Sequence, residues 1–218
     1  MNFTYLIKLV QESNEQKLAT IVQLPDGGWR RVDVYGNIYY SKTKDGMVHR
    51  LDGPAITLAN GSEKWLVDGK LHRTDGPAVI NAYGDKWWYV NDERHRLDGP
   101  AVKYASGSEE WYVNNRLHRV GGPAVTSTTS PVKEQWRTNG ELNRLDGPAV
   151  IYINGGEKWY KNDKLHRTDG PAVTHEGGRK YWFVDDKEYS EEDFNAIFGV
   201  SKDTAIIKQR AASNNLFM

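Results

Sequence analysis

A histidine, an arginine and an aspartate recur together along this chain in the phrase His-Arg-x-Asp-Gly-Pro-Ala. The six copies begin at His49, His72, His95, His118, Asn143 and His166, so the period is 23 residues, with one interval of 25. Imidazole can act as a general base or a metal ligand, and a row of guanidinium groups can bind phosphate or carboxylate. The candidate anion-binding residues are His72, Arg73, His95, Arg96, His118, Arg119 and Arg144.

The regular spacing of these residues argues against catalysis. An active site brings different parts of a fold together once, whereas here the Arg and Asp pair returns with the period of the chain. An Asp before Gly-Pro can cap a turn, and an Arg two residues earlier can pair with that carboxylate. Histidines in neighbouring repeats are expected about 9–10 Å apart, too far to share a metal ion. We therefore predict a non-enzymatic protein without metal or cofactor, and keep a hydrolase or transferase as an alternative.

Each repeat has the residues of a β-hairpin. A tryptophan follows sixteen residues after the start of five copies, and the fourth copy delays it to Trp136. Aromatic and β-branched residues flank pairs such as Asp68-Gly69 and Asn114-Asn115, which tolerate the positive φ angles of tight hairpin turns. Alternation along the strands predicts that Trp88 and Tyr104 share the core face. The array therefore predicts a mainly β protein, with one elongated antiparallel sheet of stacked 23-residue hairpins.

The face opposite the tryptophans is less polar than a solvated sheet face should be. The residues that directly follow the tryptophans are Leu66, Tyr89, Tyr112, Arg137, Tyr160 and Phe183. An apolar and aromatic second face requires either an internal covering layer or a binding partner. Both interpretations remain open, and these six residues are the candidate protein-binding surface.

Segments without the motif flank the array. Residues 1–37 are predicted to form an N-terminal cap, and 38–189 the repeats. In 190–218, Ser190 followed by acidic residues begins a capping helix with Phe194, Ile197 and Phe198 on one face. A second short helix around residues 205–207 and an apolar tail are predicted after it.

The fourth copy departs from the pattern. It reads His118-Arg119-Val120-Gly121-Gly122-Pro123-Ala124 and so lacks the Asp, two residues are inserted before the next copy, and that copy begins with Asn143. We expect a bulged loop here, either through drift or as a contact site.

Composition limits the classes of partner. Lys and Arg total 29, as do Asp and Glu, so no net charge favours nucleic acid or an anionic membrane. The chain has no cysteine, which excludes disulfides and thiolate sites. The opening residues lack the features of a signal peptide, because Lys8 interrupts the apolar run, and no stretch is long enough to span a membrane. A cytoplasmic location is expected.

The segment from Trp65 to Gly84 reads Trp-x-x-Asp-Gly-Lys-x-His-x-x-x-Gly before a short strand and a further glycine, and it resembles the MORN repeat. More closely, the array is similar to the His-Arg-x-Asp-Gly-Pro-Ala repeats of uncharacterised phage, bacterial and large-virus proteins. The resemblance covers about residues 38–189 and implies a long, twisted sheet of hairpins. It also implies scaffold or oligomerisation roles. Lipid binding is not carried over, because Arg, Asp, Pro and Ala replace the family's second glycine region.

Taken together, these features predict a repeat module that binds another protein. The resemblance implies a phage or bacterial factor that acts on a host, defence or toxin protein, in the host cytoplasm if the source is viral. Self-association into a homo-oligomer is an alternative. A second alternative is a module that binds a small ligand or phosphate through the histidine and arginine row.

Overall fold

The computed structural model describes residues 19–199, which fall into two compact units that meet in sequence between Leu117 and His118. The expectations for residues 1–18, for a second helix around residues 205–207 and for the apolar tail lie outside the described residues.

The first unit is built from short strands. They are β1 (Thr20–Gln23), β2 (Trp29–Val32), β3 (Ile38–Ser41), β4 (Ile56–Thr57), β5 (Glu63–Lys64), β6 (Leu66–Val67), β7 (Lys70–Leu71), β8 (Val79–Ile80), β9 (Lys86–Trp87), β10 (Tyr89–Val90), β11 (Glu93–Arg94), β12 (Val102–Lys103), β13 (Glu109–Glu110), β14 (Tyr112–Val113) and β15 (Arg116–Leu117).

The second unit continues the same pattern and ends in a helix. Its elements are β16 (Val125–Thr126), β17 (Val132–Gln135), β18 (Arg137–Thr138), β19 (Glu141–Leu142), β20 (Val150–Tyr152), β21 (Glu157–Lys158), β22 (Tyr160–Lys161), β23 (Lys164–Leu165), β24 (Val173–Thr174), β25 (Lys180–Val184), β26 (Lys187–Tyr189) and α1 (Glu191–Phe198).

Two kinds of hairpin alternate along each unit. Main strands pair antiparallel in the order β1-β2-β3-β4-β5-β8-β9-β12-β13 in the first unit, and β16-β17-β20-β21-β24-β25-β26 in the second. Between them, β6–β7, β10–β11, β14–β15, β18–β19 and β22–β23 form two-stranded sheets, which we call the arm hairpins. The predicted mainly β architecture of stacked antiparallel hairpins is confirmed. Each complete repeat contributes two hairpins, where the sequence predicted one.

The tryptophan is the residue at which the chain leaves the main strand and enters the arm. Trp88 N–H donates to the carbonyl of Ala101 (2.8 Å), and the carbonyl of Trp88 accepts from His95 N–H (3.2 Å). One backbone bond therefore belongs to the main hairpin and the other to the arm. This position joins the two hairpins of a repeat.

Tight turns close the arms as the residue types predicted. In the third arm the φ angles of Asn114 and Asn115 are 48° and 61°, and Asp68 and Gly69 adopt 48° and 78° in the first arm. Two consecutive positive φ angles are those of a type I′ turn, which matches the twist of antiparallel strands.

The residue that is fully buried in every repeat is the alanine of the Gly-Pro-Ala phrase, and Val102 is fully buried as well. Ala55, Ala78, Ala101, Ala124, Ala149 and Ala172 are all 0% exposed. The tryptophans are half-buried. The interior is therefore a row of small side chains where backbones approach closely, and the larger aromatic groups border it.

Two predictions about irregular segments are confirmed. The register of β17 against β20 shifts between Val132 and Glu134, which places a bulge after the two-residue insertion. Helix α1 begins after Ser190, whose hydroxyl accepts from Asp193 N–H (3.0 Å), and it contacts β25 and β26 through a face that includes Phe194, 2% exposed. Ile197, predicted on the same apolar face, is 61% exposed, so its predicted burial is wrong. Within residues 19–199, no helix has the length and hydropathy needed to cross a bilayer.

Candidate functional site

We call the seven residues of each His-Arg-x-Asp-Gly-Pro-Ala copy a corner. In the third corner, the Cζ atom of Arg96 lies 4.3 Å from the centroid of the Trp88 ring. Its Nε donates to Asp98 Oδ1 (2.9 Å), and one terminal nitrogen donates to the carbonyl of Pro100 (3.4 Å). The guanidinium group thus joins the aromatic residue eight positions earlier to the loop that follows.

The same arrangement recurs in the other corners. The guanidinium lies over an aromatic ring in the pairs Arg50–Tyr40, Arg73–Trp65, Arg144–Trp136 and Arg167–Trp159. Each of these arginines also donates to the Asp two residues later. Arg119, whose corner lacks the Asp, still donates to the carbonyl of Pro123 (3.2 Å). The expected Arg–Asp pairing is confirmed in all five corners that contain both residues.

The glycine of the corner is required by this packing. A Cβ atom at Gly99 would lie 2.7 Å from Arg96 Cζ, and one at Gly147 would lie 2.6 Å from Arg144 Cζ. Neither glycine has a positive φ angle. Close approach of the guanidinium therefore explains glycine at this position, and backbone conformation does not.

The histidines connect each repeat to the next. The Nδ1 atom of His95 lies 2.6 Å from Asn114 Oδ1, at the first turn residue of the following arm. Asn139 N–H donates to His118 Nδ1 (3.1 Å). In the fifth copy Asn143 replaces histidine and accepts through Oδ1 from Asn162 N–H (3.3 Å). Asparagine can replace histidine because either side chain can accept a hydrogen bond from the turn of the next arm.

These contacts show what the candidate anion-binding residues do in the fold. His72, Arg73, His95, Arg96, His118, Arg119 and Arg144 each bond to a turn, a loop carbonyl or a carboxylate. The hydrogen bond from Arg96 lowers the pKa of Asp98. The Asp98 carboxylate therefore occupies the position beside Arg96 that an external anion would need. Among residues 19–199, no three metal-ligating side chains group together.

Shallow grooves separate neighbouring corners in the first unit. One groove of about 640 Å³ is lined by Asp52, Trp65, His72, Arg73 and their neighbours. Its cations and carboxylates alternate, so an incoming anion would face carboxylates that already hold the arginines.

The residues before and after each tryptophan meet on the other side of the strands. Arg137 Nε donates to Gln135 Oε1 (2.9 Å), and these residues flank Trp136. Glu110 and Tyr112 flank Trp111 and are likewise hydrogen-bonded to each other. Strand alternation puts both neighbours of a tryptophan on the face opposite to it. We call this face, where arm hairpin and main strands meet, the crease.

The crease carries one pair of flanking residues per repeat. The pairs are Lys64 and Leu66, Trp87 and Tyr89, Glu110 and Tyr112, Gln135 and Arg137, Lys158 and Tyr160, and Tyr181 and Phe183. All six residues predicted as the binding surface are half-buried there. The corner repeats the same contacts in each copy, whereas the crease pairs differ in charge, size and aromaticity.

In the first unit the crease contains a connected cluster of tyrosines around Arg94. Its Nε donates to the hydroxyl of Tyr89 (3.4 Å), and a terminal nitrogen donates to the hydroxyl of Tyr112 (3.3 Å). The guanidinium also lies 5.1 Å from the centroid of the Tyr112 ring. Two residues of the predicted surface, from neighbouring repeats, are therefore joined by Arg94, the residue that directly precedes His95.

Tyr104 extends this cluster onto the main strands. Its hydroxyl donates to Glu110 Oε1 (3.2 Å), and its ring meets Trp87 edge-on, with centroids 6.4 Å apart. Burial, and then Glu110, raise the pKa of Tyr104 to about 12 and raise that of Tyr112. Both phenols are therefore protonated at neutral pH and can donate hydrogen bonds.

The predicted placement of Tyr104 beside Trp88 on a core face is wrong. Its ring contacts Trp87, because Val102 lies directly opposite Trp87 where β9 pairs with β12, and Tyr104, two residues later, shares the face of Val102. The residue before each tryptophan lies on the same strand face as the residue after it. This alternation could have identified Trp87 and Glu110 as members of the crease.

In the second unit the crease includes an apolar hollow of about 250 Å³. Leu165 from the last arm hairpin lines it together with Lys158, Val173, Tyr181 and Phe183 from the main strands. Burial raises the pKa of nearby Tyr160. Each unit thus has a crease of its own, the first rich in hydroxyls and the second more apolar.

Comparison with protein-family models and with curated proteins gave no match. The resemblance to MORN-type and phage arrays stays a prediction. The functional argument therefore depends on the residues of the crease and the corners.

Proposed function

We propose that this chain is a non-enzymatic repeat module that binds another protein in the crease. The observation that carries the proposal is the cluster of Tyr89, Arg94 and Tyr112, whose rings and donors lie on a half-buried face. Tyrosine and arginine are the residues most enriched among energetically dominant contacts at protein interfaces. Within each unit, variable pairs on a constant scaffold suit recognition of an irregular surface.

The difference between the corners, whose contacts repeat, and the crease, whose residues vary, supports this proposal. Each corner uses its arginine, aspartate, glycine and alanine for contacts within the repeat, and those contacts recur with the period. The crease pairs do not repeat, so the fold does not dictate their identity. A face of tyrosine, tryptophan and phenylalanine is not the composition of an unused solvent-exposed surface.

The alternative of a phosphate- or small-ligand-binding module has less support. Arg73, Arg96 and Arg144 are already held by carboxylates, which an anion would have to displace, and Arg119 donates to the carbonyl of Pro123. Action in the cytoplasm, a host defence or toxin protein as partner, and self-association remain parts of the proposal that follow from the sequence and its resemblance.

The test is affinity capture from a lysate of the native host, followed by binding of the identified protein in purified form. The variant is Tyr89→Ser with Tyr112→Ser, checked by circular dichroism to be folded. The matched control is Leu97→Ser, because Leu97 is 76% exposed in a corner. We expect the wild type and control to retain the same protein and the double variant to lose it.

A partner that the double variant binds as tightly as the wild type would refute the assignment to the crease. Loss of the partner in Leu97→Ser alone would move the binding surface to the corners.

A further inference from the structure

We propose that the crease of the first unit binds a proline-rich segment in the polyproline II conformation. This inference rests on the proposed function and specifies the chemistry of the partner. Three properties of the crease carry it: the spacing of its aromatic pairs, the predominance of hydrogen-bond donors, and the engagement of its backbone within the fold.

The spacing of the repeats matches the turn of a polyproline II helix. Each repeat adds two main strands to the sheet, and neighbouring strands lie about 4.7–4.9 Å apart, so equivalent main-strand residues such as Trp87 and Glu110 are about 9.4–9.8 Å apart. The arm hairpins that carry Tyr89 and Tyr112 follow these strands once per repeat. A polyproline II helix has three residues per turn and rises about 3.1 Å per residue, or about 9.3 Å per turn. A ligand lying across the strands would present the same side every third residue to Tyr89 and then to Tyr112.

The polar groups of the cluster complement a chain that has acceptors only. Proline has no backbone N–H, and the carbonyls of polyproline II are not bonded within the helix. Arg94 donates to the hydroxyls of Tyr89 and Tyr112, and the Tyr112 hydroxyl is also bonded to Glu110. The groups left to donate to a ligand are the remaining N–H groups of Arg94 and the hydroxyl of Tyr89. Carbonyls of the ligand can therefore accept hydrogen bonds from the crease, and the ligand has no backbone N–H groups that would be left unpaired.

The aromatic rings supply flat surfaces for pyrrolidine rings. Trp87 and Tyr104 stand edge to face, 6.4 Å between centroids, on the main-strand side, and Tyr89 and Tyr112 stand on the arm side. Grooves lined by aromatic residues are the general means by which proline-rich segments are bound, because the ligand loses little conformational entropy.

Other shapes of ligand fit this face less well. An added β-strand needs free backbone groups, yet β10 pairs with β11, and the carbonyl of Tyr112 accepts from Arg96 N–H (3.0 Å). An amphipathic helix needs an apolar groove, whereas hydroxyls, Arg94 and Glu110 occupy this one. The ligand that matches in period and in donor balance is the polyproline II segment.

The experiment measures fluorescence anisotropy of a labelled peptide of about twelve prolines, which spans about four helical turns, on titration with the full chain. A glycine-serine peptide of the same length is the control ligand. We expect saturable binding of polyproline and none of the control.

Three variants locate the site. Tyr89→Ser with Tyr112→Ser should weaken polyproline binding by about tenfold or more, because it removes two aromatic anchors. Tyr89→Phe with Tyr112→Phe keeps the rings and should weaken it by roughly fivefold through loss of the Tyr89 hydroxyl as a donor. Leu97→Ser, in a corner, should bind as the wild type does.

Absence of saturable polyproline binding by the wild type overturns the inference, as does equal binding by the wild type and the serine variant. If polyproline fails to bind while a captured protein depends on Tyr89 and Tyr112, the proposed function stands and this ligand class is wrong. If neither binds through these residues, both proposals fail.

Discussion

Replacing Gly99 by alanine tests the central packing contact of a repeat. The new Cβ would lie 2.7 Å from Arg96 Cζ and 3.0 Å from its Nε and one terminal nitrogen. Arg96 can move away only by giving up its position over Trp88 and its bonds to Asp98 and Pro100. We therefore expect Gly99→Ala to lower the free energy of unfolding, although alanine suits the φ angle of this residue.

The expected loss is about 1–3 kcal/mol, the usual cost of overpacking by one methyl group in a site that cannot relax freely. In the background of Arg96→Ala the opposing atoms are gone. The same Gly99→Ala substitution should then change stability by less than about 0.5 kcal/mol. The coupling between the two sites should accordingly be about 1–3 kcal/mol, within the range seen for residues in contact.

Urea denaturation, followed by circular dichroism and by tryptophan fluorescence, measures the four proteins of this cycle. Agreement between the two probes is required, because arrays of repeats can unfold in steps. Gly84→Ala is the matched control: no atom lies within 4 Å of its Cβ position, but its φ angle is +89°. Its cost of about 1–2 kcal/mol comes from the backbone and should be the same with or without Arg96.

Equal costs for Gly99→Ala in the two backgrounds would refute the account of the corner glycine. The guanidinium would then not be what excludes a side chain, and the explanation would have to lie in the backbone.

Two further predictions concern the arm turn and acid stability. Asn115 has a φ angle of 61°, and its Oδ1 accepts from Arg94 N–H (2.8 Å). Asn115→Ala should therefore lower the free energy of unfolding, measured by urea denaturation, by about 1–2 kcal/mol, whereas Asn115→Asp, which keeps the acceptor, should lower it less. Equal losses for the two variants would contradict the role of the amide oxygen. Arg96 lowers the pKa of Asp98 below its usual value, so this carboxylate stabilises the fold above the pKa of the unfolded chain, and that contribution is lost as pH falls through the lower folded value. The melting temperature should drop as the pH falls below about 4, and a drop of the same size in Arg96→Ala would show that the pair is not its cause.

Local chemistry made much of the fold predictable. Turn pairs such as Asn114-Asn115 accept positive φ angles wherever they occur, and Ser190 before three acidic residues starts a helix without help from distant contacts. The pairing of Arg96 with Asp98 was equally accessible, because the two residues are adjacent in the corner. These predictions depend on neighbours within a few positions, and the structure confirms them.

The candidate site was predictable only in part. The residues after each tryptophan were identified from alternation, and the structure places them on one face. Tyr104 was missed as a member of that face, and the bonds of Arg94 to Tyr89 and Tyr112 were not predicted. Arg94 reaches Tyr112, eighteen residues away, and Tyr104 reaches Trp87, seventeen residues away, through contacts between repeats that alternation within one strand cannot reveal.

The sequence by itself determined the repeat period, the β-hairpin class, the type I′ turns and the C-terminal helix, because these follow from residue types at fixed local spacing. Only the tertiary structure decided which face of the repeats is used for packing within the fold. The chain turns at each tryptophan, which carries Arg96 back over Trp88 and against Gly99, and so uses the histidine and arginine row for packing. The same turn brings Tyr89, Arg94 and Tyr112 together on the opposite face. Contacts of that kind depend on the stacking of whole repeats in space.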